Sequence, residues 1–113
     1  MVLIYHLARK ADWAASEQTG AYDGGATDKR DGFIHFSTAA EIEISAGLYC
    51  KGLTDLLLIA VESTSLGAEL RWETSRDGKS FPHVYGAIQP EHVVSVTPLP
   101  LGADGRHEFP QLD

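Results

Sequence analysis

The sequence has little that would staple or anchor it. Cys50 is the single cysteine in 113 residues, so no internal disulfide can form. A chain without disulfides suits a reducing setting, and a cytoplasmic, unprocessed protein is the expectation. The opening MVLIYHLARK runs apolar and then basic. That is the wrong order for a secretory signal, and the apolar run is too short. No stretch approaches the ~20 consecutive apolar residues of a membrane helix. Positive charge is scarce as well: 9 Lys and Arg stand against 16 Asp and Glu, for a net charge of -7. Such a chain lacks the basic face of a bulk nucleic-acid binder, although a small basic pocket inside an acidic shell is compatible with it. Local signatures are missing too. The sequence contains no HxxxH, HxH or HExxH, no P-loop, no GxGxxG and no GxSxG.

What is present suits one compact domain spanning residues 1–113, with 43% apolar residues to fill a core. Residues 2–7 are apolar and β-rich, as for a strand. Residues 8–18 are Ala-rich, carry Trp13 and stop before Gly20, which predicts a short helix. AYDGGATDKRD (21–31) has the composition of a polar loop. GFIHFST (32–38) predicts a second strand. Thr38 and Glu41 then have the spacing of a capping box, opening a helix through Ile42, Ala46 and Tyr49 to Gly52. LLLIAV (56–61) predicts a central strand buried on both faces. LRWE (70–73) and residues 81–88 flank an Asp77-Gly78 turn signal and predict a hairpin. A turn at 89–92, a last strand at 93–99 and a loosely held tail at 102–113 complete the chain. Strands and helices are segregated more than alternated, so the fold class is α+β.

Period two then sorts the polar residues. His35 and Ser37 share one face of GFIHFST with Phe33. Arg71 and Glu73 share a face of LRWE, and His83 and Tyr85 share a face with Phe81. Solvated strand faces are usually filled with Lys, Glu and Thr, so this enrichment in His and Tyr points to a common cleft. His6 adds a third imidazole if its strand faces the same way. Each residue also has a plain structural explanation: a hydrogen-bonded strand histidine, an exposed Arg–Glu pair, or a core tyrosine with its hydroxyl at the edge. Cys50 has no partner that would make it a nucleophile and is read as a small packed residue.

The succession IYHL (4–7), Trp13, GAY (20–22), GFIHFST (32–38), LRWE (70–73) and FPHVYG (81–86) resembles domain-of-unknown-function family 952. These are small bacterial proteins, and the resemblance extends to about Leu99. It implies a fold similar to the ADP-ribosyltransferase superfamily, which includes the RNA 2'-phosphotransferases. Two small, mostly antiparallel sheets with two short helices would form a cleft for NAD. NAD would be a substrate, and no cofactor would be required. In that superfamily a first core strand carries His or Arg, a following strand carries Ser-Thr, and a later one carries a catalytic Glu. Tyr5-His6 matches the first position, where His6 would bond the adenosine ribose. Ser37-Thr38 resembles the second, with Ser37 supporting the nicotinamide wall. Glu73 is the candidate for the third and Glu91 a poorer one; neither lies in the Gln/Glu-x-Glu pattern of an arginine-directed transferase. The set His6, His35, Arg71 and His83 is closer in kind to the phosphotransferases, which use Arg and His.

The resemblance therefore implies catalytic roles for Glu73, His35 and His83, ligand-binding roles for His6, Ser37, Thr38, Arg71 and Tyr85, and no metal. The chemistry is coherent. Arg71 has forked donors that match phosphate oxygens. A helix opening at Thr38 would favour a nearby anion. Tyr85 or Trp72 could stack on a base, and Glu73 could stabilise a cationic, oxocarbenium-like sugar. Three readings stay open on sequence alone. One is a protein that handles a small nucleotide, with ADP-ribosyl or 2'-phosphate transfer. The second is a non-catalytic module for a small metabolite or a protein. The third is a metal-dependent hydrolase built on His6, His35 and His83.

Overall fold

The architecture is described by a computed structural model covering residues 2–112, with only the backbone of Arg76 included. The apolar run LLLIAV becomes β3 (Leu56–Glu62), buried along nearly its whole length. It takes the centre of a three-stranded antiparallel sheet between β1 (Leu3–Arg9) and β6 (Val93–Pro98). Because β3 is covered on both faces, its alternate residues feed two cores. Leu57, Ile59 and Val61 pack with Ile4, Phe36 and Val84. Leu56, Leu58 and Ala60 pack with Tyr5, Ile42 and Leu99 on the other side.

A second antiparallel sheet has the order β2-β5-β4, from β2 (Ile34–His35), β5 (Ser80–Val84) and β4 (Leu70–Thr74). The expected hairpin is β4–β5, in register from Leu70 opposite Val84 to Thr74 opposite Ser80. Its turn needs left-handed backbone at Asp77 (φ 58°) and Gly78 (φ 72°), which an Asp-Gly pair adopts at little cost. One main-chain pair joins the two sheets, beside the core they share. Tyr5 and Ser37 exchange main-chain hydrogen bonds of 2.8 and 2.7 Å, and a cleft opens beside this seam.

Helix α1 (Lys10–Thr19) ends at Gly20 (φ 87°), whose N–H donates to the Ser16 carbonyl. The loop expected at 21–31 instead contains a six-residue helix, α2 (Ala26–Asp31). The described residues thus include three α-helices where two were expected, because a buried carboxylate, Asp28, organises this charged segment. The strand expected over 32–38 is a ladder of two residues followed by the bridge at Ser37. Helix α3 (Ile42–Tyr49) begins later than the Thr38 spacing suggests. The chain leaves the seam through a turn at 39–41, and the Thr38 carbonyl accepts from the N–H groups of Glu41 (3.1 Å) and Ile42 (3.0 Å). Glu41 is the N-cap, without a side-chain cap bond.

In the segment 102–112, Phe109 and Leu112 pack against the second core, and His107 Nε2 donates to the Leu53 carbonyl at 2.7 Å. No helix among the described residues is long and apolar enough to cross a membrane.

Candidate functional site

His6 lies between Ile4 and Ala8 on the β1 face that packs into the first core. Its ring is held at both nitrogens. A carbonyl only accepts, so Nδ1–H donates to the His35 carbonyl at 2.6 Å. Nε2 is then the acceptor, taking the Tyr22 hydroxyl proton at 2.7 Å. Burial pushes the His6 pKa down, against the pull of Asp28 3.8 Å away, so the ring is neutral in this arrangement. The same burial pushes the Tyr22 hydroxyl up, and it stays a donor.

Asp28 connects this core histidine to the cleft. Its Oδ2 accepts the Gly25 N–H at 2.7 Å. Its Oδ1 accepts from the His35 main chain at 3.0 Å and from His35 Nδ1–H at 2.6 Å. Burial raises the carboxyl pKa, but the hydrogen bonds from the His35 ring and main chain and from the Gly25 N–H outweigh it and hold Asp28 ionised below its ordinary range. The Gly24-Gly25 pair makes room for this. Gly24 has φ 97°, and a Cβ there would meet the Asp28 Cβ at 2.6 Å.

His35 is the half-exposed end of the network. Its Nε2 lies 3.1 Å from Asp31 Oδ2. The bond to Asp28 raises its pKa most, against partial burial, with Asp31 adding to the effect. Opposite His35 in the β2–β5 pair stands His83. The two rings meet edge to face with centroids 5.7 Å apart. Phe33 stacks on His83 at 4.1 Å. His83 repeats the pattern of its neighbour, with Nδ1–H donating to Glu73 Oε1 at 2.8 Å. Two imidazoles thus meet at the cleft, each held by a carboxylate at Nδ1, with Nε2 as the second nitrogen, which at His35 meets Asp31.

The cavity beside the seam has a volume of about 750 Å³. His6, Asp28, His35 and His83 form a polar wall, and Ser37 lies among its lining. Ile42, Leu53, Leu56 and Phe81 make it apolar elsewhere. Ser37 is buried, with Oγ 3.0 Å from Ser45 Oγ. Arg71, Glu73 and Tyr85 stand on the His83 face of the second sheet but do not line the cavity. Glu73 links them to it, accepting the Tyr85 hydroxyl at 2.6 Å as well as His83. Those two bonds, Tyr85 first, lower its pKa. The Arg71 guanidinium lies 4.7 Å over the Tyr85 ring. Thr38 is half-buried off the cavity wall, and Glu91 is exposed in the single turn Pro90–His92.

The structure brings His35, Ser37 and His83 around one cavity, adds His6, which spacing left open, and sets Arg71, Glu73 and Tyr85 beside the cavity instead of within the common cleft expected for them. Sequence reasoning missed Asp28, Asp31 and Tyr22. The signal for Asp28 was a local one: an acid three residues after a Gly-Gly pair, where its side chain can reach back to the Gly25 N–H. The three-histidine metal set lacks its geometry, because His6 uses both ring nitrogens internally. No group of three or more His, Cys, Asp or Glu among the described residues is placed to hold a metal ion.

These features define a small two-sheet α+β domain with a histidine-lined cleft. The chain belongs to the family described as protein of unknown function (DUF952), whose profile matches residues 7–96. It is similar to the crystal structure of protein CC0527 from Caulobacter crescentus, with 39% identity and a TM-score of 0.90 over 94% of this chain and 93% of that one. The solution NMR structure of CC0527 gives 40% identity and a TM-score of 0.83, over 94% of this chain and 91% of that one. No curated protein matches the chain.

Proposed function

We propose that the cleft binds a small nucleotide such as NAD or ADP-ribose and that the domain is an ADP-ribosyltransferase-like protein of the cytoplasm. The chemistry we assign to it is transfer of an ADP-ribosyl or 2'-phosphate group. The observation that carries this reading is the facing pair His35 and His83, each with Nδ1 held by a carboxylate, beside a cavity of about 750 Å³. That volume suits a small organic ligand.

The two imidazoles divide the proton work. His35, whose pKa is raised, carries its proton. In ADP-ribosyl transfer the ribose–nicotinamide C–N bond breaks and nicotinamide leaves neutral, so Nε2–H only bonds a phosphate oxygen. In 2'-phosphate transfer it passes its proton to the 2'-oxygen that leaves phosphorus. His83 donates Nδ1–H to Glu73, so its Nε2 accepts the proton of the attacking group. Glu73, off the cavity wall, acts through His83 by orienting that ring. Arg71, at the rim, meets a phosphate reaching out of the cleft.

The test is an amide-shift titration with NAD, ADP-ribose and a ribose 2'-phosphate nucleotide, followed by chromatography for nicotinamide or transferred phosphate. Shifts clustered at His6, His35, Ser37 and His83 are expected, with product formation lost in His35→Gln and His83→Gln. Absence of shifts at millimolar ligand would overturn the reading. Binding without product would leave a non-catalytic module.

A further inference from the structure

Asp31 sits between an arginine and the half-exposed imidazole of the cleft. It is the last residue of α2, and its carboxylate reaches His35 Nε2 at 3.1 Å. The guanidinium of Arg30 holds the same carboxylate, with Nε 2.9 Å from Oδ1 and Nη2 3.4 Å from Oδ2. Arg30, Asp31 and His35 all line the cavity. An anion at a helix C-terminus is unfavourable, since the exposed carbonyls there are themselves negative. The contacts from Arg30 and His35 compensate for that placement.

From this arrangement we infer that Arg30 and His35 form a phosphate subsite, and that Asp31 occupies it in place of the ligand. The inference deepens the nucleotide reading and rests on it for the identity of the anion as phosphate. Arg30 is the forked donor and His35 Nε2–H the second, a pairing that matches two oxygens of one tetrahedral group. When phosphate enters, the Asp31 carboxylate leaves to solvent, which its side chain already meets (31% exposed). His35 then donates to the incoming oxygen through the nitrogen that the proposed chemistry uses. Asp31 balances the charge of Arg30 and His35, and only a stronger anion displaces it.

Calorimetry with inorganic pyrophosphate tests this on wild type, Asp31→Asn, Asp31→Ser, Arg30→Gln and Asp23→Asn. Asp23 is an exposed acid near Lys29 and off the cavity, so its variant controls for net charge. Both Asp31 variants should bind pyrophosphate roughly tenfold tighter than wild type. Arg30→Gln should bind it several-fold weaker, and Asp23→Asn should match wild type within about twofold. Equal affinity in wild type and Asp31→Asn overturns the inference, and so does an equal gain in Asp23→Asn. Tighter pyrophosphate binding by both Asp31 variants alone, with no response to ADP-ribose in any form, would uphold the subsite and sink the nucleotide reading.

Discussion

Asp28 takes two hydrogen bonds from the single residue His35, one from its main chain at 3.0 Å and one from its ring at 2.6 Å. Strand position and imidazole tautomer are therefore fixed by the same oxygen. In Asp28→Asn the amide keeps the size but loses the charge. The His35 pKa should fall from its raised value toward the ordinary one, read from ring-proton shifts against pH. Its tautomer should no longer be locked, which ring nitrogen shifts report. Stability should drop by about 1–3 kcal/mol, because the amide keeps one acceptor oxygen but turns an NH2 toward a buried donor, the Gly25 N–H if its oxygen stays on His35. Urea unfolding measures that loss.

Stability should also peak near pH 6.5, the ordinary imidazole value. The folded pKa of His6 lies below it. As pH falls through 6.5, the unfolded chain takes up a proton that native His6 refuses, and stability declines. His35 has the opposite sign, because its folded pKa lies above 6.5. Its contribution is complete below 6.5 and is lost as pH rises through the folded value. Solvent screening at the half-exposed His35 makes this second limb the shallower one. Thermal melts from pH 5 to 9 should show both limbs, and His35→Gln should flatten the alkaline one. An unchanged alkaline limb in that variant would assign the effect elsewhere.

Gly24 and Gly52 separate two kinds of glycine requirement. Both have left-handed backbone, at φ 97° and 80°. A Cβ at Gly52 meets nothing within 4 Å, whereas one at Gly24 meets the Asp28 Cβ at 2.6 Å. Gly52→Ala should carry only the conformational cost of about 1–2 kcal/mol. Gly24→Ala adds overpacking of about 1–3 kcal/mol and should also disturb the Asp28–His35 bond. Denaturant midpoints give the first comparison and the His35 pKa the second.

Much of the frame was legible because it rests on strong local patterns. Six successive apolar residues marked β3, and Asp77-Gly78 marked the β4–β5 turn. Period two placed His35, His83, Tyr85, Arg71 and Glu73 on faces that do meet. Helix α2 escaped because six mostly charged residues have no apolar period to read. With it went Asp28 and Asp31, the acids that set the state of His35. Thr38 misled for the opposite reason: it has the spacing of a cap, but the chain turns there before the helix begins. The Tyr5–Ser37 bridge is a tertiary pairing between strands of different sheets and leaves no local trace.

That bridge has a mechanical consequence. The sheets also share a side-chain core, so a rotation between them is small and hinges at their one main-chain pair, and displacement grows with distance from it. Ser37 sits at the fulcrum, and β2 follows directly. β4 is two strands further out, about 10 Å away at the usual strand spacing. A small rotation between the sheets thus leaves Ser37 in place while it swings Arg71 through a wider arc, so the cavity wall at Ser37 moves least and β4 moves most.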